Sequence, residues 1–445
     1  MSILSSGSTS VDVAVLGGGF SGLSAALRLA EGGRSALLVE QQANLGGLAR
    51  SFEVDDFSVE AFYHHYFTTD QEVVSLARRL GVEDHWKERQ VTQGIYCSGR
   101  LLPFSTPLDL VRFDEIPFLE RIRLGLVTQK LWGNRSALGD VSISDWVRRT
   151  IGDRAERNLF EPLIRAKFGI SGSEVSAAFA RGRLSARGAS RGAFRWHERL
   201  AYLQGGSAFL AGRMCQEIEK SGMKVWTGAS VKEIAIDHGK YRVVVETKKG
   251  PRTIEARDVV CTLPTPVLDR AAVGFPESFL KPLGEIEYRA VVVVTFGLTR
   301  PLSKNYWISV SDEKVPFNAL IEHTKLHPSE NYNGQHIVYA GRYLRVDDEV
   351  WSMSDSEVAE LFLSGLQTVF PGLSEREVLW NRVARDRYAS PIFKVGYGGV
   401  LADLSSALPR FHLAGTLMVY PDSRNVNSAL RIGREVSDRI LNDEH

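Results

Sequence analysis

Three glycines, Gly17, Gly19 and Gly22, stand in G-x-G-x-x-G spacing, and a carboxylate, Glu40, follows 18 residues after the last. In that spacing the first glycine permits a tight turn and the second lets backbone approach a pyrophosphate. The third lets a helix lie close on a strand. A helix opening at Phe20 and Ser21 offers unpaired N–H groups and partial positive charge to phosphate. Glu40, with Gln41 beside it, is placed to accept ribose hydroxyl protons and to repel a 2′-phosphate. A second constellation is the run Phe62-Tyr63-His64-His65-Tyr66-Phe67 after Glu60. Two imidazoles there suit hydrogen bonding or proton shuttling at a bound ring; the plainer reading is an aromatic strand with satisfied histidines. A third holds Arg181, Arg183, Arg187, Arg191, Arg195 and Arg199 with one acid, Glu198, and Arg165 and Lys167 upstream. It suits a grip on a carboxylate or pyrophosphate, or a solvated loop.

The glycine motif means something only between a strand and a helix. Residues 11–16 (VDVAVL) read as a buried strand, and an Ala/Leu-rich helix follows to about Glu31, ended by Gly32-Gly33. Residues 35–39 read as a second strand, so the unit is βαβ in a parallel sheet. Residues 71–196 read mostly as helix. Strand signals then dominate at 224–226, 230–236, 241–247, 253–255 and 258–261. Long β-rich runs follow at 286–298 and 335–343, with a helix over 354–369. The chain closes on a strand at 411–414, a turn at Gly415 and a helix over 426–441. Strand–helix signals at both ends with a helical block between imply one domain interrupted by another.

The 445 residues are 44% hydrophobic and 24% charged, with net charge +1. That is globular composition and implies no nucleic-acid partner. The cysteines Cys97, Cys215 and Cys261 form no CxxC pair, so neither zinc nor a redox dithiol is indicated. Three reduced thiols fit a cytoplasmic protein. The Ser/Gly-rich residues 1–10 read as a flexible lead-in, not a signal peptide. The most apolar stretch, 290–298, is too short to span a bilayer. Residues 107–132 mix Leu, Phe and Ile with Arg and Lys. They read as a buried amphipathic helix, with peripheral contact to a membrane or lipid as the alternative.

The span from Gly17 to Glu40, extended by Gly46-Gly47, Leu48 and Arg50, resembles the FAD fingerprint of the amine oxidase, protoporphyrinogen oxidase and phytoene desaturase superfamily. That resemblance implies FAD, with Gly46, Gly47 and Arg50 along the pyrophosphate and ribityl chain; no cysteine lies near the first or last motif, so the FAD is expected to be non-covalent. Residues 203–209 (LQGGSAF), 230–236 and 258–264 are similar to further family segments, with Val231 placed at the adenine. Gly415 and residues 425–429 resemble the closing strand–glycine–helix. They imply that Asn425, Val426 and Asn427 bring N–H donors to the flavin N1–C2 carbonyl. Many relatives have Gly-Asp where this chain has Gly415-Thr416. No lysine lies in 287–293, where amine oxidases often carry one, which argues against ordinary amine oxidation. In the more distant UDP-galactopyranose mutases a His-containing motif sits against the flavin where His64-His65 stands here.

The expected fold is therefore α/β: a Rossmann-like FAD-binding domain from 11–70, 203–275 and 405–445, interleaved with an α+β substrate domain from 71–202 and 276–404. The expected function is an FAD-dependent oxidoreductase moving hydride between an organic small molecule, anionic or neutral, and flavin N5, with His64 and His65 as catalytic candidates. The alternative is a non-redox sugar-nucleotide mutase.

Overall fold

The computed structural model describes residues 8–130, 138–182 and 198–443. Its first sheet has eight strands. From one edge they run Lys224–Trp226, Ala36–Val39, Ser8–Leu16, Gly250–Cys261, Lys240–Thr247, Ser230–Asp237 and Ala272–Val273, with Phe411–Leu413 paired to the far half of Gly250–Cys261. The strand Ser8–Leu16 lies parallel to both neighbours, with Leu16 opposite Val39 and Cys261. Segments far apart in sequence thus meet beside Gly17. Ser8 to Ser10, expected in a flexible lead-in, are instead paired with residues 253–255.

Strand alternation sorts the apolar side chains. Val13, Val15 and Leu38 point to a core shared with the helices Phe20–Glu31, Gly206–Lys220 and Val426–Asn442. Ala14, Leu16, Leu37 and Val39 point to the opposite core, shared with the strands 230–261 and the helical residues 143–168. Gly433 explains how closely the first and last helices pack: a Cβ there would lie 2.1 Å from the Ser21 carbonyl oxygen.

A second sheet of seven strands runs Val378–Pro391, Tyr288–Leu298, His336–Leu344, Ala319–Glu322, Trp307–Val310, Gln93–Cys97 and Arg100–Pro103. Val292, Val294 and Phe296 pack under the helix Asp355–Val369, while Val291 and Val293 face the other way, toward Phe62 and Tyr202. The strands Trp86–Val91, Gln93–Cys97 and Arg100–Pro103 lie within the stretch expected to be mostly helical. Trp86–Val91 has five of six residues partly or fully exposed, so it carried no strong apolar run. Its partner Glu198–Leu203, which also pairs with Tyr66–Phe67, supplies the buried side. Among the described residues no helix is long and apolar enough to cross a membrane.

Candidate active site

A cavity of about 1140 Å³ runs between the two sheets. Single-ligand pockets hold roughly 300–1,000 Å³, so this one has room for a large cofactor and a substrate together. One part of its wall is the glycine loop. Gly17 has φ +105°, and a Cβ on it would strike the Thr262 hydroxyl at 2.2 Å. Gly46 and Gly47 also have positive φ, and Gly47 lies against Gly19, where an added Cβ would come within 3.1 Å of the Gly19 Cα. Gly46 N–H donates to the Gly18 carbonyl at 2.9 Å. The two glycine turns therefore lock together edge to edge. The helix beginning at Phe20 has no side-chain cap, so its first amides are open to an anion.

Glu40 is buried here. One carboxylate oxygen accepts the Gly18 N–H at 2.6 Å and the other the Gln42 N–H at 2.7 Å. Each oxygen keeps a further lone pair for a ribose hydroxyl. Beside it lie Gln41, Asn44 and the segment 229–232. The pairing of Ser230–Asp237 with its neighbour slips between Val231 and Glu233, a bulge that bends the strand at the cavity wall. Arg50 lines the wall but is engaged: it donates to the carbonyls of Gly47 at 3.2 Å and Arg385 at 3.3 Å, faces Asp386 at 3.6 Å, and lies over the Phe62 ring.

The far part is aromatic: Phe62, Tyr63, His64, His65, Phe67, Tyr306, Trp307 and Tyr343 all line it. On a strand, neighbours such as His64 and His65 would point to opposite faces. Residues 61–65 are unpaired with any strand, and both histidines reach the wall. Freed from strand alternation, neighbouring side chains can share one cavity. His64 Nδ1 lies 2.6 Å from the Phe62 carbonyl, an acceptor only, so Nδ1 carries the proton and Nε2 the lone pair. Burial holds this imidazole down at about 4, and the Arg424 charge adds to the effect. It is neutral at pH 7, a hydrogen-bond acceptor more than a strong base. His65 Nδ1 meets the Tyr306 hydroxyl.

At the last helix, Asn425 caps the Ser428 N–H at 2.8 Å, and Gly415, Thr416, Asn425 and Val426 line the cavity. The buried Ser423 hydroxyl beside them has no hydrogen-bond partner within the protein. The Asn427 side chain takes no part in this wall. It turns to the helix Gln71–Arg79 and accepts the Glu72 and Val73 N–H groups. Successive helical residues point about 100° apart, so Val426 and Asn427 cannot both face the cavity. Gly22 is likewise absent from the wall. A Cβ on it would lie 1.9 Å from the Gly17 carbonyl oxygen, so it serves packing.

Two cations meet at Tyr343: Lys167, from the basic constellation, and Arg424, which the sequence did not single out. Arg424 donates to the Tyr343 hydroxyl at 2.8 Å, and Lys167 lies 5.8 Å from the Tyr343 ring centroid; both line the cavity. Arg165 and Arg199, from the arginine-rich constellation, pair instead with Glu161 and Glu88. Arg183, Arg187, Arg191 and Arg195 lie outside the described residues. Arg424 had one available signal: it directly precedes the Asn425 cap. Val291 and Val293 are the cavity-facing residues of the strand where a lysine was sought.

The chain belongs to the flavin containing amine oxidoreductase family, whose pattern it matches over residues 20–441. A Mycobacterium tuberculosis protein with the provisional name flavin-containing monoamine oxidase AofH is 30% identical over 179 residues, 38% of this chain and 39% of that one. Protoporphyrinogen oxidase 1, chloroplastic, of Spinacia oleracea is 24% identical over 319 residues, 64% of this chain and 56% of that one. The chain thus matches between 39% and 56% of the length of these two relatives. A solved structure of reduced UDP-galactopyranose mutase superposes with a TM-score of 0.76 at 16% identity, covering 97% of this chain and 95% of that one, a likeness of fold.

The cofactor is FAD, and the residues present fit it. The locked glycine turns leave no room for side chains, the uncapped helix start suits the pyrophosphate, Glu40 suits the ribose, and the orphaned Ser423 hydroxyl awaits a polar partner. When bound, the isoalloxazine supplies a two-electron acceptor at N5. The protein's part is to hold it, to wall the site with aromatic rings against water, and to set neutral His64 and the cation Arg424 in that wall.

Proposed function

We propose that this chain is an FAD-dependent oxidoreductase of the protoporphyrinogen oxidase and desaturase kind. It would take hydride from a reduced single bond of an organic substrate onto flavin N5, with the accompanying proton released from the neighbouring atom as the double bond forms, in a chamber between His64-His65 and the Tyr343–Arg424 pair. The observation that carries this reading is one cavity joining the dinucleotide loop to an aromatic chamber. Val291 and Val293 leave the sheet side of that chamber apolar, which suits a C–C bond stripped of water better than a hydrated amine. Arg424 and Lys167 converge on the Tyr343 ring from two elements. In this reading they hold an anionic group of the substrate, a role expected earlier of the arginine-rich stretch. The FAD-binding part would comprise 11–70, 203–275 and 405–445.

The test is anaerobic mixing of the oxidised holoprotein with candidate carboxylated and neutral substrates while the flavin absorbance is followed. Bleaching by a carboxylated compound, weakened at least about tenfold in apparent affinity by Arg424→Met, supports the proposal. The second reading, a non-redox mutase, rests on the same Arg–Tyr pair. It predicts that turnover needs pre-reduced flavin and produces no net oxidation.

A further inference from the structure

Two polar groups in the chamber wall each lack the partner their chemistry calls for. The first is the His64 imidazole. Its Nδ1–H goes to the Phe62 carbonyl at 2.6 Å, which fixes the lone pair on Nε2. That nitrogen has no hydrogen-bond partner among the described residues, and it is open to the cavity rather than closed into the core. Toward the chamber this ring is an acceptor and nothing else.

The second is the Arg424 guanidinium. It forms no ion pair among the described residues, and its one hydrogen bond goes to the neutral Tyr343 hydroxyl at 2.8 Å. The carboxylates that line the cavity are engaged elsewhere: Glu40 by the Gly18 and Gln42 amides, Glu198 by the Gln93 side chain, and Asp386 by Arg50. Asp422, two residues before Arg424, pairs with Arg431. A guanidinium so placed is stabilised by an anion, and an accepting nitrogen by an O–H or N–H donor. The two groups are neighbours: burial holds the His64 imidazole down at about 4, and the Arg424 charge adds to the effect.

We infer that His64 and Arg424 together select the substrate, an organic carboxylate that also carries an O–H or N–H donor: Arg424 holds the anionic group and His64 Nε2 accepts from the donor. The inference rests on the reading of the chamber as the substrate site and names the class of substrate it takes. The two residues contribute differently. The guanidinium gives affinity to any carboxylate. The lone pair discriminates, because an analogue whose donor is missing or masked leaves a desolvated acceptor without a partner. His64 is then a specificity residue and must stay neutral. Protonation would turn Nε2 into a donor and set a second cation beside Arg424.

The experiment needs no turnover. The FAD-loaded protein is titrated at neutral pH with benzoate and with the meta and para isomers of hydroxybenzoate and methoxybenzoate, and dissociation constants are read from the change in flavin absorbance. At least one hydroxybenzoate should bind about tenfold tighter than its methoxy counterpart. Arg424→Met should weaken benzoate and the hydroxybenzoates alike, by about tenfold. His64→Leu should leave benzoate binding within about twofold and erase the hydroxyl preference. His64→Gln, whose amide oxygen accepts in place of Nε2, should restore part of it. FAD content should hold in all three variants; if His64→Leu is insoluble, His64→Phe is read the same way. Benzoates that bind without preferring the hydroxyl, or a preference that survives His64→Leu, overturn the inference and leave the reading of the chamber standing. If no benzoate binds, or Arg424→Met binds them as wild type does, the anionic part of that reading fails and the inference fails with it. Variants that lose FAD yet keep the hydroxyl preference assign the pair to the cofactor and overturn the inference as well.

Discussion

His65 Nδ1 stands 3.1 Å from the Tyr306 hydroxyl, and the two rings meet edge to face at 5.6 Å. This contact ties the segment carrying His64 to the residue just before the strand Trp307–Val310 of the second sheet. The phenol is buried, and burial pushes its pKa well above the usual range, so it remains protonated.

Tyr306→Phe should therefore cost about 1 kcal/mol of stability, the worth of one hydrogen bond, and leave FAD content unchanged. His64→Ala should alter flavin photoreduction with little change in Tm, because the hydrogen bond of its ring goes to the carbonyl of Phe62, two residues away. Photoreduction rates and melting curves check both. If neither variant alters flavin reduction and both lower Tm, the histidines are wall packing alone.

Two glycines of the first unit should respond very differently to alanine. Gly22→Ala places a methyl 1.9 Å from a backbone carbonyl oxygen that cannot move without shifting the Gly17 turn. A loss of more than about 3 kcal/mol, or insoluble protein, is expected. Gly33→Ala meets open space and pays only for its positive φ, about 1 kcal/mol. Soluble expression and denaturant midpoints distinguish the two.

Glu40→Gln keeps the shape but replaces one accepting oxygen by a donor, which then faces either the Gly18 or the Gln42 N–H. FAD affinity should fall about tenfold to a hundredfold. The apoprotein should also melt earlier, since the carboxylate braces the empty loop too. An unchanged apoprotein Tm would mean that Glu40 acts on the cofactor alone.

Acid stability offers a test of the buried cluster behind the site. His323 Nε2 meets the Tyr332 hydroxyl at 2.6 Å, and burial lowers its pKa to about 3, with His327 and His65 nearby adding to the effect. The unfolded imidazole takes up a proton near pH 6.5. Between those values the unfolded state binds more protons, so the residue's contribution to stability is intact above pH 6.5 and drains away as pH falls toward 3. His323→Gln removes that dependence. Its deficit against wild type, about 1 kcal/mol at pH 7.5 for the lost hydrogen bond, should shrink by about 1.4 kcal/mol per unit below pH 6 and then reverse. Urea denaturation at several pH values measures it; a deficit that widens toward pH 5 would falsify the assignment.

The glycine loop, its strand and its helix were legible because backbone geometry constrains residue type there. Only glycine suits Gly17 and Gly47, so the spacing itself is the signal. The same holds for the paired strands 240–261, whose alternation and turn residues stand in plain view. The chamber was less legible. Tyr306 with Trp307, Tyr343, Lys167 and Arg424 come from four separate segments and share no period; only tertiary packing gathers them. Asn427 shows what helical rotation does to neighbours: its side chain goes to the helix Gln71–Arg79, so only its backbone N–H bears on the expected cofactor contact. The helix Phe118–Lys130 was expected to be buried, but Phe118, Leu119, Ile122 and Leu126 are exposed while Leu124 is in the core; a helix with apolar residues on two faces has the same composition as a buried one.

The pairing of Val259 with Phe411 has a consequence for how this protein comes into being. A ribosome has released the entire glycine unit some 370 residues before the strand Phe411–Leu413, and then the helix that packs on that unit, emerge. At about 5–20 residues per second, that is a wait of roughly 20 to 75 seconds. During it, the face of the first helix that will meet Val426–Asn442 has no partner. The apolar face of the first helix is covered only once the chain has been made through residue 442.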